Sequence, residues 1–231
     1  MSGQSRLDAA LAQSDRLLEC VQLLSPDEDG REDARAERTR LFEIPGVCPP
    51  YEAAWVRRDK GAILGDIAGF YKAFGFLATP EHGVRPDHLA AELEFLAVLR
   101  VMEAQAVQRN DDSAADIALE AYVNFLGDHV ADWIGPFCAH LKSCTLLDEL
   151  HRCVDLVEQL WNIDAARYGL APFDQLGLET MPEDFNASGE SPYECLGEGS
   201  SPCGASQNDA LVPLTTSAAG HSPPLGVPHC T

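Results

Sequence analysis

The sequence is poor in basic residues. Its 231 residues include 16 Lys and Arg against 37 Asp and Glu, and the formal net charge is −21. A nucleic-acid-binding protein needs clustered basic side chains to neutralise phosphates, and binding to an anionic membrane surface needs them as well. We therefore expect no nucleic-acid partner. The excess of acidic residues suits a basic partner such as an arginine-bearing peptide. The alternative is that the acidity only maintains solubility.

Long apolar runs are also absent. No segment approaches the ~20 consecutive apolar residues that a membrane-spanning helix requires. The first residues lack the basic and apolar regions of a secretory signal. Arg57-Arg58 is a twin arginine by composition, but no apolar segment with a cleavage site follows it. We therefore expect a soluble, cytoplasmic protein without stable membrane association.

Motifs that indicate catalysis are missing too. The sequence has no Gly-x-Ser-x-Gly elbow, no Gly-rich phosphate loop before a lysine and no His-Glu-x-x-His. Its eight cysteines follow no disulfide or metal-site spacing. Five of them adjoin apolar helical stretches and are expected to be buried, reduced thiols: Cys20, Cys48, Cys138, Cys144 and Cys153. We predict that the chain is not an enzyme and has no metal or cofactor of its own.

Helical periodicity is what the sequence does contain. Apolar residues recur at three- and four-residue steps, which predicts a single all-α domain of six or seven helices over residues 5–170. The helical segments are 5–24, 27–42, 61–74, 85–107, 114–130, 133–141 and 146–168. The most apolar of them, 85–107, is expected to lie in the middle of the core. Pro86 suits its first helical position, and Asp87 places a carboxylate against the helix dipole.

Two segments depart from this pattern. Residues 44–60 are predicted to be irregular because their prolines forbid a regular element. This segment nevertheless carries three large or charged side chains that are expected to pack over the domain or line a groove: Tyr51, Glu52 and Trp55. Residues 171–231 are rich in Gly, Pro, Ser and acidic residues, which predicts a disordered tail.

Histidines and cysteines offer the alternative chemistry. His88 and Glu92 lie one helical turn apart and could share a metal ion, so a metal- or nucleotide-dependent enzyme that uses them with His129 is a competing hypothesis. A redox-responsive protein is another, through the tail cysteines Cys195, Cys203 and Cys230. Capped or buried histidines and unpaired tail thiols are the simpler interpretation, because neither spacing supplies a complete ligand set.

Four motifs occur in one order along the chain. They are Pro49-Pro50-Tyr51-Glu52, Tyr71-Lys72-Ala73-Phe74-Gly75-Phe76, Arg85-Pro86-Asp87-His88-Leu89-x-x-Glu92-Leu93-Glu94-Phe95-Leu96 and Phe125-Leu126-x-x-His129-x-x-x-Trp133. Together they resemble the cytoplasmic assembly chaperones of molybdoenzymes. That family includes the chaperones for trimethylamine-N-oxide reductase and dimethyl sulfoxide reductase and the delta-type assembly factor of nitrate reductase. The resemblance covers about residues 7–170 and is most specific in the third motif.

The resemblance implies an all-helical chaperone without catalysis of its own. Such proteins bind the twin-arginine signal peptide or the apo form of a molybdenum-enzyme catalytic subunit. They hold it until molybdopterin guanine dinucleotide is inserted and so prevent premature export. The two central motifs look most like those of chaperones for dimethyl-sulfide, ethylbenzene, selenate or chlorate enzymes. Both a monomer and a swapped homodimer are consistent with the resemblance.

By position, the resemblance also implies a peptide-binding pocket. Its residues are Pro86, Asp87 and His88, with Tyr51, Glu52, Trp55, Tyr71 and Phe74. The chemistry of the peptide calls for a pocket of the same kind, because a twin-arginine leader joins two cations to an apolar stretch. Its receptor needs carboxylates beside an aromatic groove, and Glu81 is a further candidate carboxylate.

Overall fold

The computed structural model describes residues 3–25, 32–43, 46–76 and 85–176. Within these ranges the chain forms eight α-helices: α1 (Gly3–Leu24), α2 (Glu32–Phe42), α3 (Glu52–Trp55), α4 (Lys60–Ala73), α5 (Leu89–Gln108), α6 (Asp112–Phe125), α7 (Ile134–Cys144) and α8 (Asp148–Tyr168). A π-helical turn, Leu126–Val130, continues α6, and a 3-10 turn, Phe173–Gln175, follows α8. No β-strand occurs in these ranges, so the all-α prediction is confirmed.

Helix α5 is the centre of the fold. Thirteen of its 20 residues are buried, and α1 and α6 both pack along it, while α8 packs against α1. Its Phe95 ring lies 4.7 Å from the Tyr71 ring and 4.9 Å from the Phe125 ring, measured between centroids. A fully buried phenylalanine stabilises the fold by about 1.5–3 kcal/mol. The predicted position of this segment in the middle of the core is confirmed.

The start of α5 differs from the prediction. The helix begins at Leu89 and not at Pro86. His88 is its N-cap residue, and the Nδ1 atom of that ring accepts a hydrogen bond from the Ala90 N–H at 3.1 Å. The Leu89 N–H donates to the Pro50 carbonyl at 2.8 Å. This pairing with an earlier segment holds the chain extended before the helix and overrides the local preference of proline for a first helical turn.

Helix α3 lies within residues 44–60, which were predicted to be irregular. A helix of four residues is not stable through local interactions alone. Its first amides are instead satisfied from a distance. The Glu52 N–H donates to the backbone carbonyl of Asp87 at 2.9 Å, and the Ala53 N–H donates to the carboxylate of the same residue at 3.2 Å. The prediction that Asp87 lies in the first turn of α5 is therefore wrong, and its side chain caps α3.

Helix α2 is partly buried although its sequence is highly charged. Arg38 is buried, and its guanidinium donates to the carbonyls of Leu23 and Leu24 at 3.0 Å. These carbonyls belong to the last turn of α1, where a helix has no internal donors left for them. The Leu41 side chain is fully buried.

None of the helices in the described ranges has the length and apolar character needed to cross a lipid bilayer. From residue 177 onward, the predicted tail lies outside the described residues. Four candidate residues also lie outside them: Glu81, Cys195, Cys203 and Cys230. The other five cysteines are free thiols, and all are buried except Cys144, which is half-buried.

Candidate functional site

The structure brings the first three motifs together at the N-terminal end of α5. Tyr51 and His88 form an isolated antiparallel bridge, and their rings meet edge to face with centroids 5.2 Å apart. The Tyr71 hydroxyl donates to the Pro86 carbonyl at 3.0 Å. These contacts, with those of α3 to Asp87, join six of the eight candidate residues: Tyr51, Glu52, Tyr71, Pro86, Asp87 and His88.

The remaining two candidates contribute to core packing in this structure. Trp55 is buried, donates from Nε1 to the Pro49 carbonyl at 2.8 Å and meets Phe137 edge to face at 5.9 Å. Phe74 is half-buried and packs against the Phe95 ring at 6.1 Å. A role for any of the eight residues in peptide binding stays a prediction.

Asp87 is held by three hydrogen bonds and has no exposed surface. Two of them come from Arg85, whose Nε and Nη2 donate to Oδ1 and Oδ2 at 2.9 and 2.6 Å. This parallel arrangement is the strong, geometrically specific mode in which arginine recognises a carboxylate. The Arg85 guanidinium also stacks over the Tyr51 ring, 4.5 Å from its centroid, and is 31% exposed. The arginine, and not the carboxylate, is therefore the part of this pair that reaches solvent.

Glu52 is the second fully buried carboxyl of the site. Its Oε1 accepts from Nη2 of Arg58 at 2.5 Å, and its Oε2 lies 3.1 Å from Nδ1 of His129. Burial raises the pKa of the Glu52 carboxyl, and the His129 and Arg58 contacts partly oppose that shift. Arg58 donates as well to the Asp128 carbonyl at 2.9 Å, and its side chain is 40% exposed. This pair thus repeats the arrangement of a buried carboxyl beneath an arginine that reaches solvent.

Glu92 is a third buried carboxyl in the same place. Among the described residues, no donor forms a hydrogen bond with either of its oxygens. Burial raises its pKa well above the ordinary value, and the nearby Glu52 and Asp87 raise it further. The Trp133 indole opposes this shift, but its N–H donates to the His129 carbonyl at 2.7 Å. Glu92 is therefore the only one of these three carboxyls without a hydrogen-bond donor among the described residues, and its surroundings disfavour the charged form.

His88 is neutral in this environment. Its Nδ1 accepts the Ala90 N–H, so the ring proton resides on Nε2. Burial and the neighbouring Arg85 charge lower the His88 pKa to about 4. At neutral pH the ring caps α5 and offers one N–H donor without a charge.

A metal site is not formed by these side chains. No group of three or more His, Cys, Asp or Glu residues in the described part of the chain is arranged to hold a metal ion. His88 and Glu92, which their spacing made candidate metal ligands, have other surroundings in the structure. The Nδ1 of the histidine already accepts a backbone N–H, and the glutamate is buried among other carboxyls.

Three residues complete this cluster although the pocket prediction omitted them: Arg58, Arg85 and His129. Arg85 directly precedes the Pro-Asp-His sequence, so its position was a usable signal. His129 is separated from Glu52 by 77 residues and lies on the π-helical turn. A regular α-helix was predicted there, and π-helical turns are frequent at functional sites.

The sequence matches a known family over most of the helical region. The family model of the nitrate reductase delta subunit matches residues 4–139, which is more than half of the chain. The chain belongs to the nitrate reductase delta subunit family. The match includes the whole of the candidate site, from Tyr51 to Trp133, and it confirms the resemblance drawn from the four motifs.

Two curated relatives of this family member carry more specific names. The chain is 34% identical over 118 residues to the chlorate reductase assembly chaperone protein of Ideonella dechloratans, a match that covers 49% of this chain and 60% of the relative. It is 34% identical over 117 residues to the selenate reductase assembly chaperone protein of Thauera selenatis, covering 48% and 59%. The chain thus spans about 60% of the length of these curated relatives. No solved structure gives a significant match.

Proposed function

We propose that this protein is an assembly chaperone of a molybdenum enzyme. It binds the twin-arginine signal peptide and apo form of the catalytic subunit and holds that subunit for molybdopterin cofactor insertion before export. It has no catalysis of its own, which agrees with the chaperone names of both relatives. The observation that carries the proposal is the pair of buried carboxyls, Asp87 and Glu52, each of which already binds an arginine side chain.

The geometry of these carboxyls supports recognition of arginine in particular. Asp87 accepts two parallel hydrogen bonds from one guanidinium, and the Tyr51 ring lies against the face of that group. A lysine ammonium cannot reproduce the planar fork, because it is a compact point charge. The site therefore favours arginine over lysine, which a twin-arginine leader requires of its receptor.

The electrostatics of the whole chain act in the same direction. The net charge of −21 attracts a basic leader over distances of about a Debye length, which is ~8 Å at physiological salt. Long-range attraction of this kind raises the association rate more than the final affinity. Binding should consequently become slower at high salt, while the selectivity for arginine over lysine persists.

The client we propose is an enzyme of the chlorate or selenate reductase type. The support is the 34% identity to the two named chaperones, together with the sequences of the Tyr-Lys-Ala-Phe-Gly-Phe and Arg-Pro-Asp-His motifs. The same chemistry would serve any client that presents an arginine pair before an apolar segment. The client class is therefore tested separately from the peptide-binding role.

Calorimetric titration of the full chain with a twin-arginine leader from such an enzyme tests the proposal. We expect saturable 1:1 binding that is lost when the two arginines are replaced by lysines. Co-purification of the apo catalytic subunit with the chaperone is the second readout. A chaperone that contacts only the mature domain would co-purify with the subunit without binding the leader peptide. Failure of both measurements with several leaders would contradict the proposed function.

A further inference from the structure

The two acidic groups proposed for peptide binding are not accessible in this structure. Neither Asp87 nor Glu52 has any exposed surface. The arginines paired with them do reach solvent: the side chains of Arg85 and Arg58 are 31% and 40% exposed. A basic group from outside can therefore reach these carboxyls only by taking the place of an arginine that is already there.

We propose that Arg85 and Arg58 are internal placeholders, meaning arginines of the chain that occupy the guanidinium sites until a partner's arginines displace them. This inference rests on the proposed function and adds the step by which the site opens. The partner it fits is a peptide with two arginines before an apolar stretch. The exchange replaces one guanidinium by another at each carboxyl.

The energetics favour an exchange over binding to an empty site. A buried carboxylate without a partner is strongly destabilising, because its lost hydration is not compensated. An acidic pocket kept empty between clients would carry that penalty continuously. With placeholders in position the carboxyls remain paired in the free chaperone. An incoming arginine then restores the same hydrogen bonds that the departing arginine gives up.

The exposure of the two arginines distinguishes them from Arg100, which is paired in the core. Arg100 forms an ion pair with Glu103, but both side chains are only 2% exposed, so nothing from solvent can replace that guanidinium. Arg85, by contrast, is partly exposed, and one face of its guanidinium lies against the Tyr51 ring. Its long side chain can swing into water while the carboxylate and the Ala53 N–H stay in place.

The exchange also predicts that the free chaperone discriminates against single basic residues. A partner must displace an internal arginine whose effective concentration is high, because it belongs to the same chain. A single arginine of a partner competes poorly against this internal arginine. Two arginines at the correct spacing, followed by an apolar segment, supply the additional binding energy.

The test compares the wild-type chain with Arg85→Ala, and with Arg152→Ala as the matched control. Arg152 is also an ion-paired arginine, but it is 67% exposed and lies on α8. Each protein is titrated with the twin-arginine leader and with its Lys-Lys counterpart. Each is also melted with and without millimolar arginine amide, a probe that carries a single guanidinium.

We expect Arg85→Ala to bind the leader about tenfold more tightly than wild type, because no internal arginine competes. Arginine amide should raise the melting temperature of Arg85→Ala and leave wild type and Arg152→Ala unchanged. Where wild type binds the leader, equal or weaker leader binding by Arg85→Ala would overturn the placeholder role. If Arg85→Ala fails to fold alone, it is refolded in arginine amide. The Arg58→Ala variant is also titrated and melted in the same way, and the same results support or overturn the proposal.

The two proposals fail in distinguishable ways. If wild type binds no leader and does not co-purify with the apo catalytic subunit, the proposed function is lost, but rescue of Arg85→Ala by arginine amide still demonstrates an exchangeable guanidinium site. If wild type binds the leader and Arg85→Ala binds it less well, the chaperone function stands. Arg85 is in that case a direct part of the binding surface and not a placeholder.

Discussion

Asp87 and Ala53 are joined by a hydrogen bond across 34 residues of sequence: the Ala53 N–H donates to Oδ2 of Asp87 at 3.2 Å. The same carboxylate binds the Arg85 guanidinium through both of its oxygens. One side chain therefore stabilises α3 and also forms the proposed arginine site. Variants that remove it completely would combine the loss of a helix cap with the loss of a binding group, so substitutions of equal size are needed to separate them.

Asp87→Asn should lower the free energy of unfolding by about 1–3 kcal/mol, since it leaves a partly buried guanidinium without its charge partner. The amide oxygen can still accept the Ala53 N–H, so α3 is retained. Urea denaturation at pH 7 measures the change. Asp116→Asn is the matched control, because Asp116 also pairs with an arginine but is 71% exposed. Equal losses in the two variants would contradict the special role of burial at Asp87.

Local periodicity was sufficient to predict most of the fold. Each predicted helical segment overlaps one of the seven longer helices, because the apolar residues of a helix are close together in sequence. Two of the failures have a common and different cause. Helix α3 and the delayed start of α5 depend on each other, through the hydrogen bonds of Glu52 and Ala53 to Asp87. Spacing within one segment carries no information on a partner 34 residues away.

The candidate site was predictable to a similar extent. The motifs identified Tyr51, Glu52 and Asp87, and the structure brings their segments together. The sequence could not indicate that the two carboxyls are covered by arginines of the chain itself. Arg58 and Arg85 were left out of the predicted pocket, because an ion pair depends on side-chain positions that helical periodicity does not determine.

Cys144 should react first among the five cysteines of the described ranges. The neighbouring Cys48 thiol and the Arg40 charge lower the pKa of Cys144, and its side chain is half-buried. Burial instead raises the pKa of Cys48 and Cys138. Because the thiolate is the nucleophile, brief iodoacetamide treatment of the native protein should label Cys144 at least about tenfold faster than these two. Peptide mass mapping measures this, and uniform labelling before unfolding would contradict it.

His88→Asn should reduce the loss of stability in mild acid. The His88 pKa is about 4 in the folded chain against an ordinary value of 6.5, so the unfolded chain binds more protons between these limits. The contribution of His88 is therefore complete above pH 6.5 and is lost as the pH falls towards 4. Asparagine keeps an N-cap acceptor for the Ala90 N–H but does not titrate. Between pH 6.5 and 4.5, wild type should lose roughly 2 kcal/mol more than the variant. Parallel pH curves from urea denaturation would contradict the assignment.

Glu92→Gln should stabilise the protein increasingly as the pH rises. The pKa of Glu92 is raised well above 4.5 in the folded chain, so the unfolded chain releases this proton first and wild-type stability falls as the pH increases above 4.5. Glutamine has the same size and never ionises. The difference between variant and wild type should therefore grow by up to about 1.4 kcal/mol per pH unit until the folded-state pKa is reached. Urea denaturation from pH 5 to 8 measures this, with Glu120→Gln on exposed α6 surface as the control for losing one charge. A difference that stays constant with pH would mean that Glu92 is ionised in the folded protein, and the cluster would then need a further cation to balance three buried carboxylates.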